Sequence, residues 1–153
     1  MAILEEMHEP ERSFLTKLPC PRYETRPWAS GPPLSERRVA LISTAGLHTR
    51  EDRPFAGISG EYRVIPGSAA AGDLVMSHVS VNFDRTGFIQ DHNLVFPIDR
   101  LLELVEAGVI GSLADYHYSF MGAADPSQLE GPARELAGHL KGDKVDAVLL
   151  APV

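Results

Sequence analysis

The chain contains a single cysteine, Cys20, among its 153 residues. One thiol cannot form an internal disulfide, so a stapled secreted domain is excluded and a cytoplasmic location is expected. Basic residues are scarce: 14 lysines and arginines stand against 21 acidic residues, a formal net charge of -7. That balance leaves no basic face for nucleic acid. No apolar run approaches the roughly 20 residues that span a bilayer. The start, Met1-Ala2-Ile3-Leu4-Glu5-Glu6, lacks the basic opening and long apolar run of a secretory signal. Neither a nucleic-acid nor a membrane partner is expected. Common catalytic signatures are missing too: there is no C-x-x-C, H-E-x-x-H, G-x-S-x-G, P-loop or G-x-G-x-x-G. Four histidines, His48, His78, His92 and His117, fall in expected loops or strand ends, but their spacing matches no zinc pattern. No metal is expected.

What remains is an ordinary globular composition, 44% hydrophobic and 23% charged, long enough for one domain with one core. The stretch that organises it is R-R-V-A-L-I-S-T-A-G-L-H, residues 37–48. Four apolar residues without a polar break suit a strand buried on both faces of a parallel sheet. A small polar turn with Gly46 follows, ending in His48. Ligands of open α/β sheets sit outside the carboxyl ends of strands, so residues 43–48 are the first candidate site. The competing reading is that Gly46 only permits a sharp turn and His48 lies on the surface.

Residues 1–36 read as an N-terminal arm. A short helix with Ile3, Leu4 and Met7, then Phe14 and Leu18, gives way to prolines at 19, 21, 27, 32 and 33. Proline fixes φ and removes a donor, so an irregular extended segment is expected. Phe14, Tyr23 and Trp28 are expected to pin this arm onto the domain or a partner. Cys20 has no activating neighbour and reads as structural or incidental.

Residues 37–153 read as the α/β domain. A strand is expected over 61–66, stopped by Pro66 and Gly67, and a strand or extended segment over 74–81. Residues 82–93 form a long charged loop. Pro97 and Asp99 open the clearest helix, with Ile98, Leu101, Leu102 and Val105 on its apolar face and Gly108 at its end. A short strand over 109–113 and an aromatic run around His117 follow. Gly131 and Pro132 are expected to start a second helix, with an extra turn after Asp125-Pro126 as an option. Its stripe is Ala133, Leu136, Ala137 and Leu140. A last strand covers 145–150. The alternation implies a three-layer α/β fold with a mainly parallel, Rossmann- or flavodoxin-like sheet, in which 39–43 and 145–150 are both central.

Several motifs in this order resemble one family: residues 37–42 with 44–48, Y-R-V-I-P at 62–66, Ser77-His78, N-L-V-F-P-I-D-R-L at 93–101, H-Y-S-F-M-G at 117–122, and V-D-A-V-L-L at 145–150. The set is similar to the selenoprotein B subunits of glycine, sarcosine, betaine and D-proline reductases, and more closely to a shorter branch of that family. The resemblance implies a component of a selenol- or thiol-dependent reductase, an oxidoreductase that couples reductive C–N cleavage to disulfide formation. The implied substrates are small amino acids or N-methylated amines. Implied partners are other reductase subunits or a thioredoxin-like donor, in an oligomeric assembly. The family's redox residue lies just after the strand matching 145–150. Selenocysteine, encoded by UGA, is therefore expected directly after Val153, the C-terminal part of the domain is expected to be missing, and this chain alone is expected to be inactive. The alternative is a small-molecule binding or assembly subunit without catalysis.

The expected ligand site gathers Thr44, Gly46, His48, His78 and His117, with His48 and His117 as the catalytic candidates. Their use would be to hydrogen-bond a carboxylate or shuttle a proton. For His117 the competing reading is a core histidine with a satisfied nitrogen.

Overall fold

A computed structural model describes residues 4–17, 22, 24–80 and 83–153. Cys20, Tyr23, Ile3 and Leu18 lie outside the described residues, as does the side chain of Phe14.

Helix α1 (Glu9–Lys17) precedes a stretch, residues 24–36, whose side chains are all exposed. Trp28 is 91% exposed. Among the described residues no contact makes it the anchor that its apolar ring suggests.

Strand β1 (Arg38–Ser43) is the spine of the sheet. On one side it pairs in parallel with β7 (Ala147–Ala151). On the other it pairs in parallel first with β5 (Ser112–Leu113) and then with β6 (Tyr116–Phe120). Beyond β6 lies β3 (Tyr62–Pro66), antiparallel to it. The sheet is therefore mostly parallel and mixed. A separate antiparallel pair joins β2 (Leu47–Thr49) to β4 (Leu74–Met76).

Alternate residues of β1 supply two clusters. Val39 and Leu41 join the larger one, with Leu47, Ile65, Val95 and Phe96. Helix α3 (Ile98–Glu106) covers it through Ile98, Leu101 and Val105. Leu102, expected on the same face, is 45% exposed, because it sits a hundred degrees round the helix from Leu101. Gly108 ends the helix at φ +69°, in the left-handed region that favours glycine. The second cluster takes Ile42, Tyr118 and Phe120 against Leu129, Leu136 and Leu140 of helix α4 (Pro126–Gly142).

Helix α4 takes the earlier of the two starts that the sequence offered, and the expected alanine stripe fails. It starts six residues before Pro132, because the Asp125 carboxylate accepts from the Ser127 amide at 2.8 Å and caps it there. Pro132 then lies inside the helix, and the Gln128 carbonyl that it cannot serve is pressed against Gly60, where a Cβ would come within 2.0 Å. Ala133 and Ala137 are exposed, so the buried stripe rests on the leucines. The carboxyl turn of β1 also differs from expectation. Residues 47–49 form strand rather than turn, because β4 offers them a pairing edge. A short helix α2 (Thr86–Gln90) interrupts the charged loop.

Strand β7 corrects the larger expectation. It has one partner, β1, and stands at the sheet edge among the described residues. Val148, Leu149 and Leu150 are 40%, 39% and 67% exposed. An unbroken apolar run suits a central strand, but among the described residues nothing pairs with its outer edge.

Candidate functional site

The carboxyl end of β1 is held by side chains whose hydrogen bonds are nearly all internal. Ser43 is fully buried; its hydroxyl donates to the Val95 carbonyl at 2.7 Å and accepts from the Ala45 amide at 3.1 Å. The Thr44 hydroxyl accepts from the Val153 amide at 2.8 Å, and the Thr44 amide donates to the Ala151 carbonyl. Gly46 then turns the chain at φ +65°. Its amide donates to the Phe120 carbonyl and its carbonyl accepts from the Ser77 amide. A Cβ on Gly46 would lie 3.1 Å from the backbone nitrogen and Cα of His78. The Leu47 amide donates to the buried Ser119 hydroxyl at 2.8 Å. Gly46 and His78 thus meet beyond the β1 end, while Thr44 is bonded to the end of the β7 segment and His48 lies on β2, opposite Val75.

His48 and His78 are both buried. Nδ1 of His48 faces the Thr49 carbonyl at 2.7 Å, so it carries the proton and leaves Nε2 as a bare acceptor without a partner. In His78 the order is reversed. Nδ1 accepts from the Ser80 amide at 3.2 Å, which places the proton on an unpartnered Nε2. The ring stacks on Phe83 at 4.9 Å. Burial, then the nearby Arg85 cation, holds its pKa below the usual imidazole value.

His117 is placed differently. It lies within β6, level with the middle of β1, and its Nδ1 accepts from the Leu41 amide at 3.0 Å. It is fully buried, edge-on to Phe96, and its unpartnered Nε2 lies 3.6 Å from where a Cβ on Gly67 would stand. Burial lowers its pKa to about 4. At neutral pH it is therefore uncharged, and within the sheet it accepts from the Leu41 amide. Nothing places it at the β1 end with Gly46 and His78.

Two charged side chains did not stand out from sequence. Arg38 donates to the Asp143 carboxylate at 2.6 Å, pairs with Asp115 at 2.9 Å, and reaches the Leu113 carbonyl. It thereby ties the start of β1 to the β5–β6 break and to the end of α4. Arg63, only 4% exposed, lies 4.3 Å over the Phe55 ring and donates to the Arg53, Pro54 and Tyr62 carbonyls and the Glu61 carboxylate. The only advance signal for either was an arginine beside an apolar strand. Among the described residues no three histidine, cysteine or acidic side chains converge on a point that can hold a metal. Among the described residues no helix is long and apolar enough to cross a membrane.

The family model for glycine/sarcosine/betaine reductase selenoprotein B matches residues 3–153. D-proline reductase subunit gamma of Acetoanaerobium sticklandii is 38% identical over 123 residues, 76% of this chain and 49% of that protein. Glycine reductase complex component B subunit gamma of Symbiobacterium thermophilum is 31% identical over 147 residues. Sarcosine reductase complex component B subunit beta of Peptoclostridium acidaminophilum is 30% identical over 145. The last two alignments cover 90% of this chain and 33% of each relative, so the chain spans between a third and a half of these proteins. No solved structure matches it. On the match of the family model across almost the whole sequence, the chain belongs to the glycine/sarcosine/betaine reductase selenoprotein B family.

Proposed function

We propose that this chain is a component of a reductase complex of the glycine, sarcosine, betaine or D-proline type. The single observation that carries this is the family match over residues 3–153, joined by relatives named as subunits of such complexes. In this reading the complex cleaves a C–N bond of a small amino acid or N-methylated amine. The bond electrons come from a selenol–thiol or dithiol pair, which is oxidised to a selenenyl sulfide or disulfide. The lone Cys20 cannot supply such a pair by itself, so this reading takes the selenol from a selenocysteine, as the family's description as a selenoprotein suggests. A selenol ionises more readily than a thiol, which makes it the better nucleophile near neutral pH.

The part given to this chain's residues is placement. Thr44 holds the backbone at the end of β7, and Gly46 locks the β2–β4 pair against the same edge. His48 offers a fixed acceptor there, and His78 a fixed donor. The second reading, an assembly or binding subunit without its own chemistry, draws on the uncovered edge of β7 and the exposed Trp28. The protein isolated from its own host, alkylated and weighed, decides between them. One selenium atom per chain supports the redox reading. A native chain without selenium overturns it and leaves the assembly role.

A further inference from the structure

The segment after β4 crosses the carboxyl edge of the sheet. The Ser77 amide is bonded to the Gly46 carbonyl, and the Val79 amide to the Met121 sulfur at 3.5 Å, just past the end of β6. His78 sits between these two anchors and is 6% exposed. A neutral imidazole carries one proton. Nδ1 accepts from the Ser80 amide, so the proton is on Nε2, and Nε2 is buried without a partner. Buried donors are normally satisfied; this one lacks an acceptor.

The charge beside it decides which acceptor fits. Arg85 folds back onto the same segment and donates to the His78 and Ser80 carbonyls. Those bonds hold an exposed guanidinium next to the buried ring. Among the described residues no carboxylate pairs with it, and the neighbouring Asp84 carboxylate is engaged by the Thr86 amide at 2.9 Å. Arg38, Arg63 and Arg134, by contrast, each face a carboxylate. In a chain of net charge -7, an uncancelled arginine beside an unfilled N–H is a local site for an anionic oxygen.

We infer that Arg85 is the residue that holds the substrate's carboxylate, with the Nε2–H of His78 as the second donor. The inference rests on the proposed function for the identity of the ligand. Glycine, sarcosine, betaine and D-proline differ at nitrogen, which is primary, secondary, quaternary or part of a ring. Their common handle is the carboxylate. One clamp at the sheet edge therefore serves the whole class and leaves the nitrogen side to decide which member reacts. The half-buried Phe83 ring, 4.9 Å from the imidazole, moves aside as the carboxylate enters.

The test is a two-dimensional NMR titration of the folded full chain at neutral pH with sodium acetate. Equal sodium chloride controls for ionic strength, and acetamide serves as the uncharged analogue. Saturable shifts should appear at the His78 Nε2 proton, the Phe83 ring and the Arg85 side chain, with acetamide at least tenfold weaker. Arg85→Gln keeps a donor for the His78 carbonyl and loses the charge. It should weaken acetate about tenfold, the scale of one charge-assisted hydrogen bond, and erase the preference over acetamide. Arg85→Lys keeps the charge and should keep that preference, which a merely structural arginine would not control. No saturable shift, equal titration by acetamide in the wild type, or an unchanged preference in Arg85→Gln would overturn the inference. The two claims fail separately. Acetate binding in a protein whose deletion spares all the reductase activities refutes the proposed function alone; loss of such an activity without acetate binding refutes this site alone.

Discussion

Replacing Gly46 by alanine tests the geometry of the strand end, and Gly108→Ala supplies an internal standard. The two glycines have nearly the same backbone, φ +65° and +69°. A Cβ in that conformation costs about 1 kcal/mol at either position. The gain from a stiffer unfolded chain is also common to both, so it cancels in the difference. The surroundings differ. Nothing lies within 4 Å of a Cβ on Gly108. On Gly46 it meets Met121 Cε at 3.0 Å and the His78 backbone at 3.1 Å. Met121 can swing its terminal methyl aside at small cost. The His78 backbone cannot, because the neighbouring Ser77 amide is bonded to the Gly46 carbonyl at 3.0 Å. Overpacking of this kind adds about 2 kcal/mol. Gly108→Ala should therefore lose about 1 kcal/mol and Gly46→Ala roughly 3, read as urea midpoints at constant m. In melting temperature that is about 3 °C against about 9 °C for a chain of this size. Equal losses in the two variants would refute the close packing of His78 on Gly46.

Leu41→Asp puts an unpaired charge at a fully buried position and should abolish cooperative unfolding, whereas Val148→Asp, 40% exposed on the edge strand, should change the midpoint by less than about 1 kcal/mol; circular dichroism melts separate the two. Burial opposes the Asp143 charge, but bonds from Arg38 and from the Asp115 and Tyr116 amides outweigh it and hold its pKa below 3.8. The stability of that pair is present above the unfolded pKa and lost as pH falls through the folded one. Arg38→Met should cost about 3 kcal/mol at pH 7, and the gap to wild type should shrink between pH 4 and pH 2 in urea titrations. His117 has a folded pKa of about 4 against 6.5 unfolded, so the unfolded chain binds the extra proton between them. Wild-type stability should fall by about 3 kcal/mol as pH drops from 6.5 to 4, and His117→Asn should flatten that slope; an unchanged slope would place the titration elsewhere.

The β1 spine was legible because an unbroken V-A-L-I run has few other homes than a buried parallel strand, and the structure puts Ala40 and Leu41 at 0% exposure. Helix α3 was legible from its stripe and from Gly108. For α4 the sequence offered two starts, Gly131-Pro132 and an extra turn after Asp125-Pro126, and the first carries the stronger local signal. Asp125 wins by making an actual cap bond, and Gly60 leaves room for the carbonyl that Pro132 frees. The edge position of β7 was not legible, since composition records how apolar a strand is and not what covers it. At the site, glycine and small polar residues marked the strand end. The tautomer of His48 is set by the adjacent Thr49 carbonyl and that of His78 by the Ser80 amide two residues on; the partners are local, but the burial that fixes both rings comes from packing that the sequence does not announce. His117 was singled out as a histidine among aromatics, but whether it reaches the β1 end is a question of strand register, set by the pairing of Ile42 with Tyr118.

The central claim, that this chain works in a reductase complex, is tested most directly by deleting its gene in the host. Extracts are then assayed for dithiol-dependent reductive deamination of glycine, sarcosine and betaine and for reductive opening of D-proline. The account predicts loss of one of these activities and its return when the gene is restored. Parent and deletion extracts with the same four rates would contradict it.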